Sequence, residues 1–394
     1  MQYATHYDVG DRKRTDGINE DSVAITVFED GHRDGYLGPS NPPEHEGDTA
    51  GGDGESRGEG DGEIRDDDDD EADGAADRSG ADAGGREPPS TRSAATFALA
   101  DGAGGHEAGD VASYIASTVI PEHLAGTAVR AARSDPAAFD VSLESPCPDP
   151  PRAADIESAV AEAIVAAHRE IVAYAAETGN QAHTTVVAGV CVGGRLHYGW
   201  VGDSRAYVIN AAREGIDRLT ADHAVVERLR DAGEIDEVEA LVHPRGNEIT
   251  RALGGTGRED PETATVEVET RTVPLYAEDV VLVTSDGLVD AQTEAAKLHE
   301  WYLDADRDAE MANVVRDRAI TDDEVRDCVL GAASIDAAAA DLTALANDRG
   351  GKDNLSTVLF RDGTLPETPA DPPARSVNAR PAVEDRQTLL GETD

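Results

Sequence analysis

The chain has 394 residues, 39% of them hydrophobic, enough for one large core or two. Its 81 acidic residues against 34 basic ones give a formal net charge of −47, which sets aside nucleic acid and anionic membrane surfaces, both polyanionic, as general partners. Only Lys13, Lys297 and Lys352 are lysines, and the acidity is global: residues 30–92 hold 20 acids and 6 arginines, leaving −33 on the other 331 residues. An acidic, lysine-poor surface of this kind stays solvated in concentrated salt.

The N-terminus, MQYATHYDVG, has no apolar signal core, and no run of about 18 apolar residues occurs anywhere, so a cytoplasmic protein is expected. EDSVAITVF then reads as a strand. Residues 30–92, with Tyr36, Leu37 and Ile64 as their large apolar groups, lack the surface to offset chain entropy and are expected to be a disordered acidic insertion. SAATFALA, after it, is a second strand, so the insertion lies in a strand-to-strand connection of one domain, residues 1–29 plus 93–360. Val111, Ile115 and Val119 mark a short helix, and Ile156, Val160, Ile164, Ala167, Ile171 and Tyr174 a long amphipathic one. TTVVAGVCVGGRLHYGWVGDSRAYVI supplies three β-rich runs with GGR and GDSR as turns, material for an antiparallel meander. Residues 222–233 read as helix, 265–284 as two strands, 334–347 as an Ala-rich helix and LSTVLF as a last strand. From 361 the chain is Pro-rich and polar and is expected to be a mobile tail. Helices grouped between hairpins point to a layered α+β architecture. Cys147, Cys191 and Cys328 are odd in number, far apart and without zinc-ligand spacing, so reduced structural thiols are expected.

The informative residues are carboxylates. DGAGGHEAGD, after TFALA, is neither a dinucleotide fingerprint, which would need glycine where Glu107 stands, nor a P-loop, which would need lysine where Asp110 stands. That leaves Asp101 to explain. VVLVTSDGLVD repeats its framing at Asp286, GGKDN puts Asp353 just before a strand, and INEDS puts Glu20 and Asp21 before another. Each alone reads as turn or loop chemistry. Together they place four carboxylate sites at strand ends, and converging carboxylates are unstable unless protonated or bridged by cations. With oxygen ligands only, the cations expected are Mg²⁺ or Mn²⁺ in place of zinc. Gly102, lacking a Cβ, lets its own carbonyl approach such an ion.

In order and framing, NEDS (19–22), DGAGGHEAGDVAS (101–113), VGDSRAY (201–207), LTADH (219–223), ITRALGG (249–255), SDGLVD (285–290) and DN (353–354) resemble the motifs of the metal-dependent, type 2C (PPM) protein serine/threonine phosphatases. The DGxGGH form is similar to the bacterial and archaeal branch, and the acidity suits a haloarchaeal source. The resemblance implies a four-layer α/β/β/α sandwich of two antiparallel sheets flanked by helices, phosphoprotein substrates and attack by a hydroxide bridging two metal ions. It implies that Asp101 bridges both ions with the Gly102 carbonyl beside it. Asp286 and Asp353 would hold one ion, Glu20 or Asp21 would support the other directly or through water, and Asp203 with Asp286 would reach a third, weaker ion. Asp203 also suits a hairpin turn, and Thr220 or Asp222 suits an N-cap for the next helix. The stretch from LTADH to ITRALGG corresponds to the family's flap. The family's phosphate-binding arginine falls at Asp16 in this sequence; a two-residue bulge restores it at Arg14, with Arg12 as second choice. The general-acid histidine of the eukaryotic branch is replaced by Ala103, which leaves His106 for that role or for a structural one. A monomer is expected. The ligand set alone leaves a small-molecule phosphomonoesterase open, while a non-catalytic phosphoprotein binder is disfavoured because all four carboxylate sites are intact.

Overall fold

A computed structural model describes residues 1–11, 17–29, 32–39, 93–103, 108–132 and 149–377, with 32–39 as backbone only. One sheet runs in the order β1 (Gln2–Asp8), β13 (Leu355–Arg361), β12 (Asp279–Thr284), β8 (Arg205–Asn210), β9 (Gly215–Arg218). The other runs β10 (Leu253–Gly255), β5 (Ala182–Thr184), β4 (Ala94–Ala103), β6 (Val186–Val192), β7 (Arg195–Val201), β11 (Glu269–Pro274), and β2 (Asp21–Glu29) adds to β4 with β3 (His32–Pro39) beyond it. Every pairing among these strands is antiparallel. The helices are α1 (Gly109–Ala132), α2 (Ala153–Thr178), α3 (Val225–Asp231), α4 (Glu237–Ala240), α5 (Ala295–Asp304), α6 (Ala309–Arg318), α7 (Asp322–Gly331) and α8 (Ile335–Arg349).

Strand alternation builds the layers. Along β4, Ala95, Phe97 and Leu99 join Tyr198, Trp200, Val283 and Phe360 in the core between the sheets, and Phe97 meets Phe360 at a ring separation of 5.4 Å. The intervening Ala94, Ala98 and Ala100 face α1 and α2, as period-2 side-chain alternation requires. On the other sheet, Val281 and Val283 point inward while Val280 and Leu282 pack with Ile335, Ala338 and Leu342 of α8. This is the expected helix–sheet–sheet–helix sandwich.

Several expectations are corrected. The short helix is the 24-residue α1, and its fully buried stripe is Ala112, Ala116, Ile120, Leu124 and Ala128, with Val111, Ile115 and Val119 at its border. The alanine face of β4 admits the helix side that carries small residues. The three central runs are no single meander: β6 and β7 pair in one sheet, whereas Gly202-Asp203-Ser204 carries the chain across to β8 in the other. The span 30–92 begins with a paired strand, since β3 zips to β2 from Glu29↔His32 to Ser22↔Pro39; the rest of the expected insertion lies outside the described residues. Strand β1 and helices α5–α7 had no counterpart in the reading, and α3 covers only the centre of 222–233. Cys191 is buried and its thiol is pushed up to about 12 by that burial, while Cys147 lies outside the described residues.

The segment after Arg361, expected to be mobile, is seated as far as Val377. Thr368 bridges Asn210 (2.8 Å) and Glu278 (2.7 Å), and the Val377 amide donates to the Arg218 carbonyl at 2.8 Å. Arg375, 3% exposed, pairs with Asp279 at 2.6 Å and Asp217 at 3.0 Å. Pro-rich composition hides one buried ion pair, and a buried carboxylate stripped of its partner is costly. Arg375→Ala is expected to lower the unfolding free energy by roughly 3 kcal/mol in urea titrations at constant KCl; an unchanged midpoint would contradict the seated segment.

Candidate active site

Antiparallel register brings the quoted carboxylates to one end of the sandwich. Asp21 opens β2 directly opposite Asp101 near the end of β4. Thr284 ends β12 opposite both Arg205, the start of β8, and Thr357, early in β13. Asp286, Asp203 and Asp353 follow or precede those positions by a few residues, so they share that end. Glu20, Asp101, Gly102, Asp203, Asp286 and Asp353 line one cleft of about 660 Å³, and Asn247, Thr250 and Arg251 of the expected flap line it too. The alternative left open between Glu20 and Asp21 resolves into two places: Glu20 lines the cleft, whereas Asp21 lies behind it, 1% exposed.

Short polar side chains hold these loops. Asn354 Oδ1 accepts the Glu20 amide at 3.0 Å while its Nδ2 donates to the Val9 carbonyl at 3.2 Å, tying the DN pair to the NED loop. Asn19 Oδ1 accepts the Asp21 amide at 3.0 Å. Ser285 Oγ donates to Asp21 Oδ2 and accepts from the Ser356 amide, both at 2.9 Å. The Asp101 carbonyl takes the Thr185 amide and the Thr184 hydroxyl, each at 2.8 Å. Close packing demands the glycine after two of the aspartates. A Cβ on Gly102 would sit 2.7 Å from the Glu20 carbonyl oxygen, and one on Gly287 would overlap the Asn354 carbonyl.

Sequence reasoning missed the braces. Asp290 receives Lys352 Nζ at 2.6 Å, and Lys352 also reaches Asn247 at 3.1 Å; both charged residues stood inside quoted motifs. His223 Nδ1 accepts the Gly202 amide at 3.0 Å, its Nε2 meets Glu269 at 2.9 Å, and its ring stacks on Trp200, so it steadies the turn that carries Asp203. The capping reading of Thr220 and Asp222 is overturned. Thr220 accepts the Ala206 amide, Asp222 is clamped by Arg205 and Arg218, and α3 starts after Ala224 with no side-chain cap. His106, Arg14 and Arg12 lie outside the described residues.

Burial and mutual repulsion shape the electrostatics. Burial, then the charges of Asp21, Asp286, Asp203 and Asp353, push the Asp101 carboxyl well above its ordinary range. Asp286 is raised likewise by burial and by Asp203, Asp290, Asp353 and Asp21. Burial lifts Asp21 to about 6, and burial with Asp222 lifts Asp203 to about 7. The described cations nearby are engaged elsewhere: Lys352 on Asp290, Arg205 on Asp222, Arg251 on Glu267 and Glu269. An oxygen-only set of crowded carboxylates fits hard divalent cations, whose charge removes the repulsion.

The profile described as Protein phosphatase 2C matches residues 82–318. The chain belongs to the protein phosphatase 2C family. The matched span stops short of Glu20 and Asp21 at one end and Asp353 at the other, and the fold returns all three to the site. Among relatives, "Serine/threonine phosphatase stp" of Listeria innocua is 34% identical over half of this chain and 68% of its own length. "Protein phosphatase PhpP" of Streptococcus pneumoniae is 26% identical over 66% of this chain and 83% of its own. A crystal structure of a bacterial serine phosphatase covers 94% of this chain and 99% of its own at a TM-score of 0.55 and 20% identity. The Mycobacterium tuberculosis phosphatase PstP/Ppp gives 0.51 over 93% and 99% at 21% identity. These two likenesses support the family's sandwich fold.

Carboxyls with raised pKa values make the metal-free family fold hold protons that the unfolded chain has released. Their stabilisation is complete below about pH 4 and fades as pH rises through about 6 for Asp21 and about 7 for Asp203. Melting curves of chelated protein at constant molar KCl should therefore fall in midpoint from pH 5 to 8, and Mn²⁺ should flatten the trend. A metal-free midpoint that rises over this range would contradict the crowding.

Proposed function

We propose that this chain is a Mg²⁺- or Mn²⁺-dependent phosphatase that hydrolyses phosphoserine and phosphothreonine in protein substrates. The observation that carries the reading is the convergence of Glu20, Asp101, Asp203, Asp286 and Asp353 on one cleft in a member of this family. Asp101 would be shared by two ions with the Gly102 carbonyl, Asp286 and Asp353 would hold one, and Glu20, backed by Asp21, would hold the other. Asp203 with Asp286 would hold a third, weaker ion. When bound, a pair of divalent ions supplies Lewis acidity and charge neutralisation for displacement at phosphorus. Arg14 would orient the substrate phosphate by a bidentate contact, with Arg12 as the alternative, and His106 would deliver a proton to the leaving oxygen. A cysteine phosphoenzyme route has no support from Cys191, whose thiol is buried and held up at about 12.

The same reading includes a halophilic, cytoplasmic monomer with signalling substrates. Support for salt adaptation is the charge of −33 that remains outside residues 30–92; the relatives named above are bacterial, so the haloarchaeal assignment rests on that charge. The screening length falls from about 10 Å at ~0.1 M salt to about 3 Å at ~1 M, which relieves repulsion between most surface carboxylates. No helix among the described residues is long and apolar enough to cross a membrane.

Phosphate release from phosphoserine and phosphothreonine peptides in molar KCl tests the reading. Activity should require Mn²⁺ or Mg²⁺, vanish with chelator and decline in dilute buffer. Asp101→Asn and Asp286→Asn should lose about a hundredfold or more in kcat, and Arg14→Ala should raise KM more than Arg12→Ala. Full activity after chelation overturns the metal-dependent mechanism, and hydrolysis of small phosphomonoesters without phosphopeptides replaces the substrate class.

A further inference from the structure

A second cluster of ligand atoms lies outside the aspartate cleft. Glu239, on the short helix α4, is 4% exposed although it is acidic. Its Oε2 is gripped by Arg307, Nε at 2.9 Å and Nη2 at 2.7 Å, and its Oε1 lies 3.3 Å from His299 Nε2 on α5. The ring of His243, three residues beyond α4, stands edge-on to His299 with centroids 5.1 Å apart and planes at 79°. One ligand atom from each of Glu239, His243 and His299 lies within 4.8 Å of the other two. We propose that these three residues form a transition-metal site of the zinc class that joins the flap segment to α5.

The donor set differs in kind from that of the cleft. Two imidazoles and one carboxylate are the ligand types Zn²⁺ takes, with a fourth position left for water, whereas Mg²⁺ prefers oxygen throughout. Ligands at about 2.0–2.1 Å in a tetrahedron lie about 3.3–3.4 Å apart, which is the separation of Glu239 Oε1 from His299 Nε2. That distance is long for a charge-assisted hydrogen bond, which closes to about 2.7–2.9 Å. Arg307 on the other carboxylate oxygen supplies the outer contact that ligating carboxylates use to hold their orientation. The contact that competes is the Arg245 amide, which donates to His243 Nδ1 at 3.1 Å. The site is not a by-product of local sequence. His299 comes from a helix 56 residues along the chain from His243, where Val238 and Val242 cluster with Leu298 and Tyr302 and the Tyr302 hydroxyl donates to Asp236, the N-cap of α4, at 3.1 Å.

The test uses the full chain, stripped with chelator and held in molar KCl with Mg²⁺ in large excess to occupy the oxygen site. Zn²⁺ is titrated against a chromophoric chelator, and Co²⁺ is followed by its visible absorption, which is strong for four-coordinate nitrogen and oxygen ligation. The proposal expects one Zn²⁺ per chain, four-coordinate Co²⁺ absorption, retention of both in Asp101→Asn, and affinity losses of about a hundredfold in His299→Ala and His243→Ala. His299→Gln and His243→Asn, which conserve shape, should show the same loss with unchanged circular dichroism, separating ligand loss from misfolding. Zn²⁺ that binds the wild type and the shape-conserving histidine variants equally, or that disappears in Asp101→Asn, overturns the site. So does a chain that takes up no Zn²⁺ beyond the Mg²⁺-filled cleft.

Discussion

Antiparallel pairing that delivers carboxylates to one end of a sandwich is the constraint on which the rest of this molecule depends. Asp21 faces Asp101 across a strand pair, and the turns at the ends of β7, β12 and β13 bring Asp203, Asp286 and Asp353 to the same place. None of these positions can slip by one residue, because the same register that places each aspartate also sends Phe97, Val283 and Phe360 into the inter-sheet core. Burying that core therefore concentrates negative charge, and the raised pKa values of Asp101 and Asp286 express the tension between apolar packing and carboxylate repulsion. Divalent cations at the cleft would convert the tension into binding energy.

The loops that bear the charges are held by neutral donors and acceptors. Asn19, Asn354, Ser285, Thr184 and Thr185 fix backbone groups next to the aspartates without adding charge. Arginine is spent one layer out, as in the clamp of Arg205 and Arg218 on Asp222 beneath the Asp203 turn. At the opposite end of β12, Asp279 is answered by Arg375 from the chain's later segment. Buried carboxylates away from the cleft are thus met by arginine, Asp222 by Arg205 and Arg218 and Asp279 by Arg375.

Much of the site was legible because each aspartate stood at the end of an apolar run with glycine or asparagine beside it, a local pattern with a mechanical cause. Sheet strands with dense Val and Ile were legible for the same reason. Strand β1 and helices α5–α7 were not: their buried positions are few, such as Ala4, Leu298, Val315 and Val325, and lie among charges that mask the periodicity. That Glu20 lines the cleft while Asp21 is buried where β2 pairs with β4 depends on strand pairing, which the local sequence does not show. The seating of Arg375 and the roles of Thr220 and His223 were hidden because they depend on partners in other strands, as does half of the clamp on Asp222, whose other half, Arg218, is four residues away.

The central claim is that the aspartate cluster holds a pair of divalent ions shared by Asp101. Anomalous diffraction at the manganese edge, from crystals grown with Mn²⁺ in concentrated KCl, addresses it without relying on turnover. The account predicts two strong peaks in the cleft on either side of Asp101, one beside Asp286 and Asp353 and one beside Glu20, and their loss or weakening in Asp101→Asn. No peak in the cleft at saturating Mn²⁺, or peaks unchanged in that variant, would contradict it.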